Sequence, residues 1–294
     1  VGQTYRSATA FRQALEDRLK RLSGGSDPFL VRLRREVAFE GLLARFFDGG
    51  ASPWVLKGGY GIEVRFRSQA RSTQDIDLGV PDIRKMEFQG NIDTTILFNR
   101  LREVAGRNRN DWFIYEIGAM TDDLEGAPYG GARFPVECTL DGRQFVNFHL
   151  DVGLGDPVYD PEVVPGHDLL SFADIPPARM VMYSLEQQFS EKVHAYCQPR
   201  GERTNSRTRD LVDIVLIIQS GKLDEAGAGR AIVRTFEKRG TPLPAIPPDP
   251  PGNWTERYKR LADEIDLKPN AVEEAFRAFE GYWKSIRKHM GGDK

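Results

Sequence analysis

The chain has 294 residues, 40% hydrophobic and 29% charged, a balance that excludes a disordered or fibrous protein. Its formal net charge of -2 excludes a global positive field, though a local basic stripe for nucleic acid fits inside such a total. The widely spaced cysteines Cys138 and Cys197 exclude a disulfide framework and a cysteine-based zinc site and fit a reducing cytoplasm.

Val1 to Arg6 shows no signal-peptide pattern and no apolar run reaches membrane-spanning length, so a soluble cytoplasmic protein without a membrane partner is expected. Phe11, Leu15, Leu19 and Leu22 recur at helical spacing and predict a first helix stopped by Gly24-Gly25. Asp27-Pro28 supplies an N-cap and a first helical residue for a second, running through Leu33, Val37 and Leu42 to Phe46 and ending at Gly49-Gly50. After Pro53 the pattern changes. Trp54-Val55-Leu56 reads as a short strand entering Lys57-Gly58-Gly59, with a short helix expected over Ile62 to Phe66. From Asp75 to Val80, Ile76, Leu78 and Val80 alternate with Asp75, Asp77 and Gly79, so a strand places the two sets on opposite faces. A covering helix is expected from Ile92 to Val104, followed by strands over Trp112 to Ile117, Ala132 to Leu140 and Gln144 to Gly153. The last alternates Val146, Phe148, Leu150 and Val152 with Asn147, His149, Asp151 and Gly153.

The remainder reads as helical. Leu185, Phe189, Val193 and Tyr196 mark one amphipathic helix, Leu211 to Ile218 a more buried one, and Ala231 to Lys238 a third. Thr241 to Asn253 is dense in proline and predicts an extended connector. Closing helices are expected over Glu256 to Ile265 and Ala271 to His289. The expected organisation is a helical lead-in over 1–52, an α/β core over 53–165 and a helical C-terminal region over 166–294.

Asp75 and Asp77 project the same way from one strand and are placed to grip a common pair of divalent metals, which take oxygen ligands. A lone D-x-D is equally what a solvated strand end shows. Asp151 adds a third acidic position on the polar face of another strand. Gly58-Gly59 ends a strand and opens a helix, where backbone N–H groups can approach a triphosphate with no Cβ in the way; a tight turn would read the same. Together and in this order, these features favour a site. No G-x-x-x-x-G-K-[ST] is present, which excludes a P-loop. Gly227-Ala228-Gly229 follows no strand, which demotes it as a dinucleotide loop. The four histidines lack zinc spacing, and His149 and His194 read as packing or hydrogen-bonding groups.

This order of strand, Gly-Gly turn, helix, D-x-D strand and later acidic strand resembles the DNA polymerase β-type nucleotidyltransferase superfamily. Val55-Leu56-Lys57-Gly58-Gly59 with Arg71-Ser72-Thr73-Gln74-Asp75-Ile76-Asp77-Leu78 looks like the AbiEii/AbiGii (MenT-like) toxin family. Glu191-Lys192-Val193-His194-Ala195 and Arg207-Thr208-Arg209-Asp210-Leu211-Val212-Asp213 look like that family's helical lysine and later Arg-x-x-Asp motif. The resemblance covers Trp54 to Ile218 and implies an α/β (α+β) fold: a nucleotidyltransferase core with a mixed sheet, N-terminal helices and a helical C-terminal domain. It implies Asp75, Asp77 and Asp151 as magnesium (or manganese) ligands, Lys192 as a triphosphate contact, and Asp210 or Asp213 completing the catalytic set. Lys57, Gly58, Gly59, Arg71 and Lys192 are the expected nucleotide-binding residues. The implied activity is transfer of a nucleoside monophosphate from a nucleoside triphosphate to an acceptor, with tRNA the acceptor for some members. The implied setting is a toxin–antitoxin or phage-defence pair with a separately encoded antitoxin.

Read from the residues alone, Lys192 also fits a snorkelling surface lysine. Asp210 and Asp213 share a helix face, and Asn205 or Ser206 is placed to cap that helix. Tyr60 stands where the family commonly has Ser or Thr, a bulky side chain placed either to alter nucleotide preference or to narrow the pocket. Arg65, Arg67 and Arg71, and Arg200, Arg203, Arg207 and Arg209, form two clusters able to track an RNA backbone, as solvated loops also would. Two other readings stay open: an AMP-transferring enzyme acting on protein, and a nucleotide- or RNA-binding module without turnover.

Overall fold

The computed structural model describes residues 5–48, 52–86, 94–124, 127–201 and 204–291; the Gly49-Gly50 stop, the start at Ile92 and Arg203 lie outside the described residues. The chain forms two compact units: Val1–Val64 with Ser72–Met182, and Arg65–Arg71 with Tyr183–Lys294.

The first unit opens with α1 (Ala8–Leu22), which buries Phe11, Leu15 and Leu19 as their spacing demands. The second helix, α2 (Asp27–Phe46), is capped by Ser26, whose side chain accepts from the Phe29 N–H; Asp27, expected as the cap, is already its first residue. Pro28 in the first turn gives up an N–H that has no helical partner anyway. Then follow β1 (Val55–Lys57), α3 (Gly58–Phe66), β2 (Asp75–Val80), α4 (Thr94–Ala105), β3 (Phe113–Ile117) and β4 (Asp122–Asp123). The unit closes with β5 (Gly131–Leu140), β6 (Arg143–Leu154), β7 (Glu162–Pro165) and β8 (Arg179–Met182). The last two fall in a stretch whose prolines and short apolar runs carry no clear strand signal in the sequence. The helix α3 begins at Gly58, ahead of the expected Ile62, so Gly58 and Gly59 form its first turn.

Among the described residues these strands make one mixed sheet in the order β3-β5-β6-β2-β1-β8-β7, with β4 added on β5. The pairs β2–β6 and β1–β8 are parallel and the others antiparallel. Ile76, Leu78, Leu150, Val152 and Phe134 are fully buried on one face. The helix α2 packs on β3, β6 and β8 and against α4, so it covers the apolar side that strand alternation creates. The lead-in helices therefore belong with the sheet, because the sheet's apolar face is what they bury.

The second unit contains α5 (Leu185–Cys197), α6 (Thr208–Gln219), α7 (Glu225–Lys238), α8 (Thr255–Glu264) and α9 (Val272–Ile286). The helix α5 packs on α6 and α7, and α6 packs on α8 and α9. Asp224 caps α7 by accepting from the Gly227 N–H, which starts that helix ahead of the expected Ala231 and makes Gly227 to Gly229 helical. The cap position of α6 is Arg207, with no side-chain cap; Asn205, expected there, instead accepts from the Arg207 N–H and donates to the Tyr196 carbonyl. The proline-dense connector carries no regular element before a short 3-10 turn at Gly252–Trp254. It is pinned through its carbonyls: Tyr196 donates to Pro248 at 2.7 Å and Trp283 to Ala245 at 3.1 Å. Cys138 and Cys197 are free and buried. No helix among the described residues is long and apolar enough to cross a membrane.

Candidate functional site

The parallel pair β2–β6 sets the first group of candidates side by side. Asp77 is the register partner of Asp151, and Asp75 of His149. Since alternate strand residues share a face, Asp75, Asp77, His149 and Asp151 project together, away from Ile76, Leu78, Leu150 and Val152. His149 Nδ1 lies 3.3 Å from Asp75 Oδ1. On the neighbouring strand Arg133 stands opposite Asp151 and donates to both of its oxygens, each at 2.7 Å. Those bonds and the surrounding carboxylates raise the Arg133 pKa, outweighing the opposing effect of burial. A cleft of about 640 Å³ continues from Asp75 along the same face, with Arg35, Gln74, Asn147, His149, Glu116 and Glu137 among its lining.

Lys57 and Gly58 close the other side of this group. Lys57 is the register partner of Asp77, and its ammonium is 2.9 Å from Asp156 Oδ2. Gly58 adopts φ +66°, and a Cβ there would overlap the Asp77 carboxylate. Glycine is needed twice over: for its backbone conformation and for the space that Asp77 fills. The carboxylate consequently sits at the start of α3, where the helix dipole favours negative charge.

Tyr60 does not narrow a pocket. Its ring is fully buried, edge-on to Phe39, and its hydroxyl donates to Glu40 Oε1 at 2.9 Å. Burial, with Glu40 close by, raises its pKa well above the ordinary phenol value and keeps the donor protonated. It belongs to a buried polar cluster that sequence reading missed. Arg32 bridges Glu36 at 2.8 Å and Glu63 at 2.9 Å. His167 approaches Glu36 at 3.0 Å through Nδ1 and donates its backbone N–H to Glu40. Glu63 Oε2 accepts from the Thr73 N–H and hydroxyl at 2.9 and 2.7 Å. Burial pushes the Glu63 carboxyl up to about 7, with Arg32 and Thr73 pulling the other way. The cluster ties α2 and α3 to the segment entering β2 just before Asp75. Its signal was Arg32, Glu36 and Glu40 at four-residue spacing on a helix that is otherwise apolar on that side.

The second group lies in the helical unit. The Lys192 ammonium is 2.9 Å from Asp210 Oδ1 and 3.0 Å from Asp213 Oδ2. Arg71 grips the same Asp213 through two bonds of 2.9 and 2.8 Å. Burial works against the Lys192 charge, but the two aspartates more than offset it and push its pKa up to about 12. Burial likewise opposes the Asp213 carboxylate, and Arg71 with Lys192 holds its pKa below the usual range. Four candidates named from the sequence thus meet in one satisfied network. His194, beside it in sequence, bonds Thr241 Oγ1 at 2.9 Å, and burial next to Arg239 lowers its pKa to about 4. The arginine clusters are partly committed to structure: Arg65 donates to the Tyr183 carbonyl and Gln188, and Arg200 to the Ala195 carbonyl.

Three carboxylates from adjacent strands are the oxygen donors that magnesium takes, so the residue types fit a divalent cation. Among the described residues, however, no three His, Cys, Asp or Glu side chains are gathered at ligand spacing, and both Asp151 oxygens face Arg133.

A family model described as nucleotidyl transferase AbiEii toxin, type IV toxin–antitoxin system, matches residues 41–291. Among solved structures the chain is similar to MenT4, a nucleotidyltransferase toxin from Mycobacterium tuberculosis H37Rv. The identity is 15%, the TM-score 0.57, and the match covers 94% of this chain and 97% of that one. At that identity the likeness is one of fold, and it agrees with the mixed sheet and helical second unit. No curated protein matches.

Proposed function

This chain belongs to the AbiEii nucleotidyltransferase toxin family, and from that premise we propose metal-dependent transfer of a nucleoside monophosphate from a nucleoside triphosphate to tRNA in the cytoplasm. Nucleotidyl transfer and a type IV toxin–antitoxin setting come with the family, and with them a triphosphate substrate and a cognate antitoxin. The metal, the acceptor and the residue roles are our reading. The observation that carries it is the register of Asp77 beside Asp151 with Asp75 on the same face.

In this reaction an acceptor hydroxyl oxygen bonds to the α-phosphorus while the bridge to the β-phosphate breaks. Pyrophosphate leaves, and the hydroxyl proton passes to a neighbouring base. Magnesium or manganese held by Asp75, Asp77 and Asp151 would neutralise the phosphates and hold them in line. Gly58 and Gly59, as the first turn of α3, offer backbone N–H groups to an anion. Lys57, oriented by Asp156, adds a positive charge near the same strand end. Lys192 is assigned as a triphosphate contact, kept charged by Asp210 and Asp213. Arg71 is the second counter-charge of Asp213, so in this reading Arg71 and the aspartates act through Lys192. The cleft beside Asp75 offers amide and imidazole groups suited to a nucleoside, and Glu116 and Glu137 make it a poor place for backbone phosphate.

The test is incubation with each α-³²P nucleoside triphosphate, magnesium and total tRNA, followed by a denaturing gel. Label on tRNA that falls at least ~10²–10³-fold in Asp77→Ala is the expected result. Undiminished labelling by a folded Asp77→Ala protein would overturn the site. Label on protein alone would replace tRNA with a protein hydroxyl acceptor. Binding of nucleotide without any transfer would leave a binding module.

A further inference from the structure

Asp151 is engaged before any metal arrives. Arg133 Nε and Nη2 each donate to one of its oxygens at 2.7 Å, the fork geometry in which guanidinium and carboxylate fit best. The same Nη2 lies 3.8 Å from Asp75 Oδ2. One guanidinium therefore spans carboxylates from two strands on the face where a divalent cation would take its oxygen ligands. It cannot remain there unchanged, because a dication bound to those oxygens would stand against a fixed positive charge at short range. The arginine is free to leave: its side chain is 33% exposed, and the apolar neighbours Ala132 and Phe134, not Arg133, anchor β5 in the core.

We propose that Arg133 is a built-in counter-cation that competes with the divalent metal for Asp151 and Asp75 and is displaced when metal and nucleotide bind. Displaced, the guanidinium keeps the planar donor set that suits a phosphate, so it becomes a positioning residue for the triphosphate. The inference rests on the reading that these carboxylates bind a divalent cation.

The test measures Mn²⁺ binding without nucleotide, by the loss of the free-ion EPR signal, for the wild type, Arg133→Gln, Arg133→Lys and Asp151→Asn. Removing the competitor should tighten Mn²⁺ binding roughly two- to fivefold, as expected for a partly exposed ion pair. Arg133→Lys, which keeps the charge and loses the fork, should fall between, and Asp151→Asn should bind more weakly than the wild type. Equal or weaker binding by Arg133→Gln, in protein that melts with the wild type, overturns the inference; wild-type binding lost in Asp151→Asn then leaves the metal reading standing. Should Arg133→Gln not fold, Arg133→Lys decides alone, and binding no tighter than wild type overturns the proposal. No Mn²⁺ binding by wild type and variants alike overturns the metal reading and the inference together.

Discussion

Asp151 and Asp213 make nearly the same bond and stand in opposite situations. Each accepts a two-pronged grip from an arginine, Arg133 at 2.7 and 2.7 Å and Arg71 at 2.9 and 2.8 Å. The Arg133–Asp151 side chains are 33% and 12% exposed, those of Arg71 and Asp213 only 9% and 2%. Water can replace a lost partner in the first pair and not in the second. Asp213 also has Lys192 as a second cation, whereas Arg133 is shared with Asp75. Nearly the same hydrogen-bond geometry thus serves a network that must stay closed in one unit and a face able to change partners in the other.

The comparison breaks most visibly at Asp213. Asp213→Ala leaves Arg71 and Lys192 buried without their shared carboxylate and should cost about 3–5 kcal/mol of stability, read by chemical denaturation. A loss below 1 kcal/mol, the range of surface pairs, would show the network to be no more closed than the Arg133 pair. On the open face, Gly58→Ala should lower transfer by about 10²-fold, the scale of losing one electrostatic catalytic group, because its Cβ displaces the Asp77 carboxylate. Its stability cost should stay near the 1–2 kcal/mol of a left-handed non-glycine residue. Full transfer activity would mean that Asp77 can shift without consequence.

His194 sharpens the picture of the helical unit's interior. Its pKa falls from 6.5 to about 4 on folding, so the unfolded chain binds the extra proton between those values. Stability from this group is complete above pH 6.5 and is lost as pH drops towards 4, by about 3 kcal/mol in total. The difference in stability between wild type and His194→Gln should therefore narrow on acidification through that window; a difference independent of pH would contradict the buried neutral imidazole. At Tyr60 the expected effect is on stability alone. Tyr60→Phe removes one donor from buried Glu40, costing about 1.5–3 kcal/mol at most, and should leave nucleotide preference untouched. A changed preference among the four labelled triphosphates would return Tyr60 to the open face.

Much of the candidate site's geometry was legible because strand periodicity is local. The alternation in Asp75–Val80 and around Asp151 placed both acidic sets on polar faces before any partner strand was known. Arg133 was not legible as their neighbour. Asp141 and Gly142, both at positive φ, turn β5 into β6 as a two-residue hairpin, and counting back from Leu140 opposite Arg143 would set Arg133 against Leu150. The register shift between Cys138 and Thr139 moves it one place, onto Asp151. A one-residue slip reverses which side chains share a face, and nothing in the local pattern announces this bulge. Tyr60 was misjudged for a related reason: a helix start specifies where a residue sits along the chain, but the side its ring faces depends on Phe39 and Glu40 of another helix.

By itself the sequence determined the elements that local rules govern. These are the amphipathic helices, the alternating strands, the Gly-Gly break before a helix and the acidic residues on polar strand faces, together with a motif order that identifies the family. Tertiary structure alone decided which charges meet. Arg133 with Asp151, Arg71 and Lys192 with Asp213, and Arg32 with Glu36 and Glu63 are pairings whose members, apart from Arg32 and Glu36, lie far apart in the chain or on different elements. Coulomb attraction and desolvation depend on distance and burial in space, and neither is encoded in the spacing of residues along the chain.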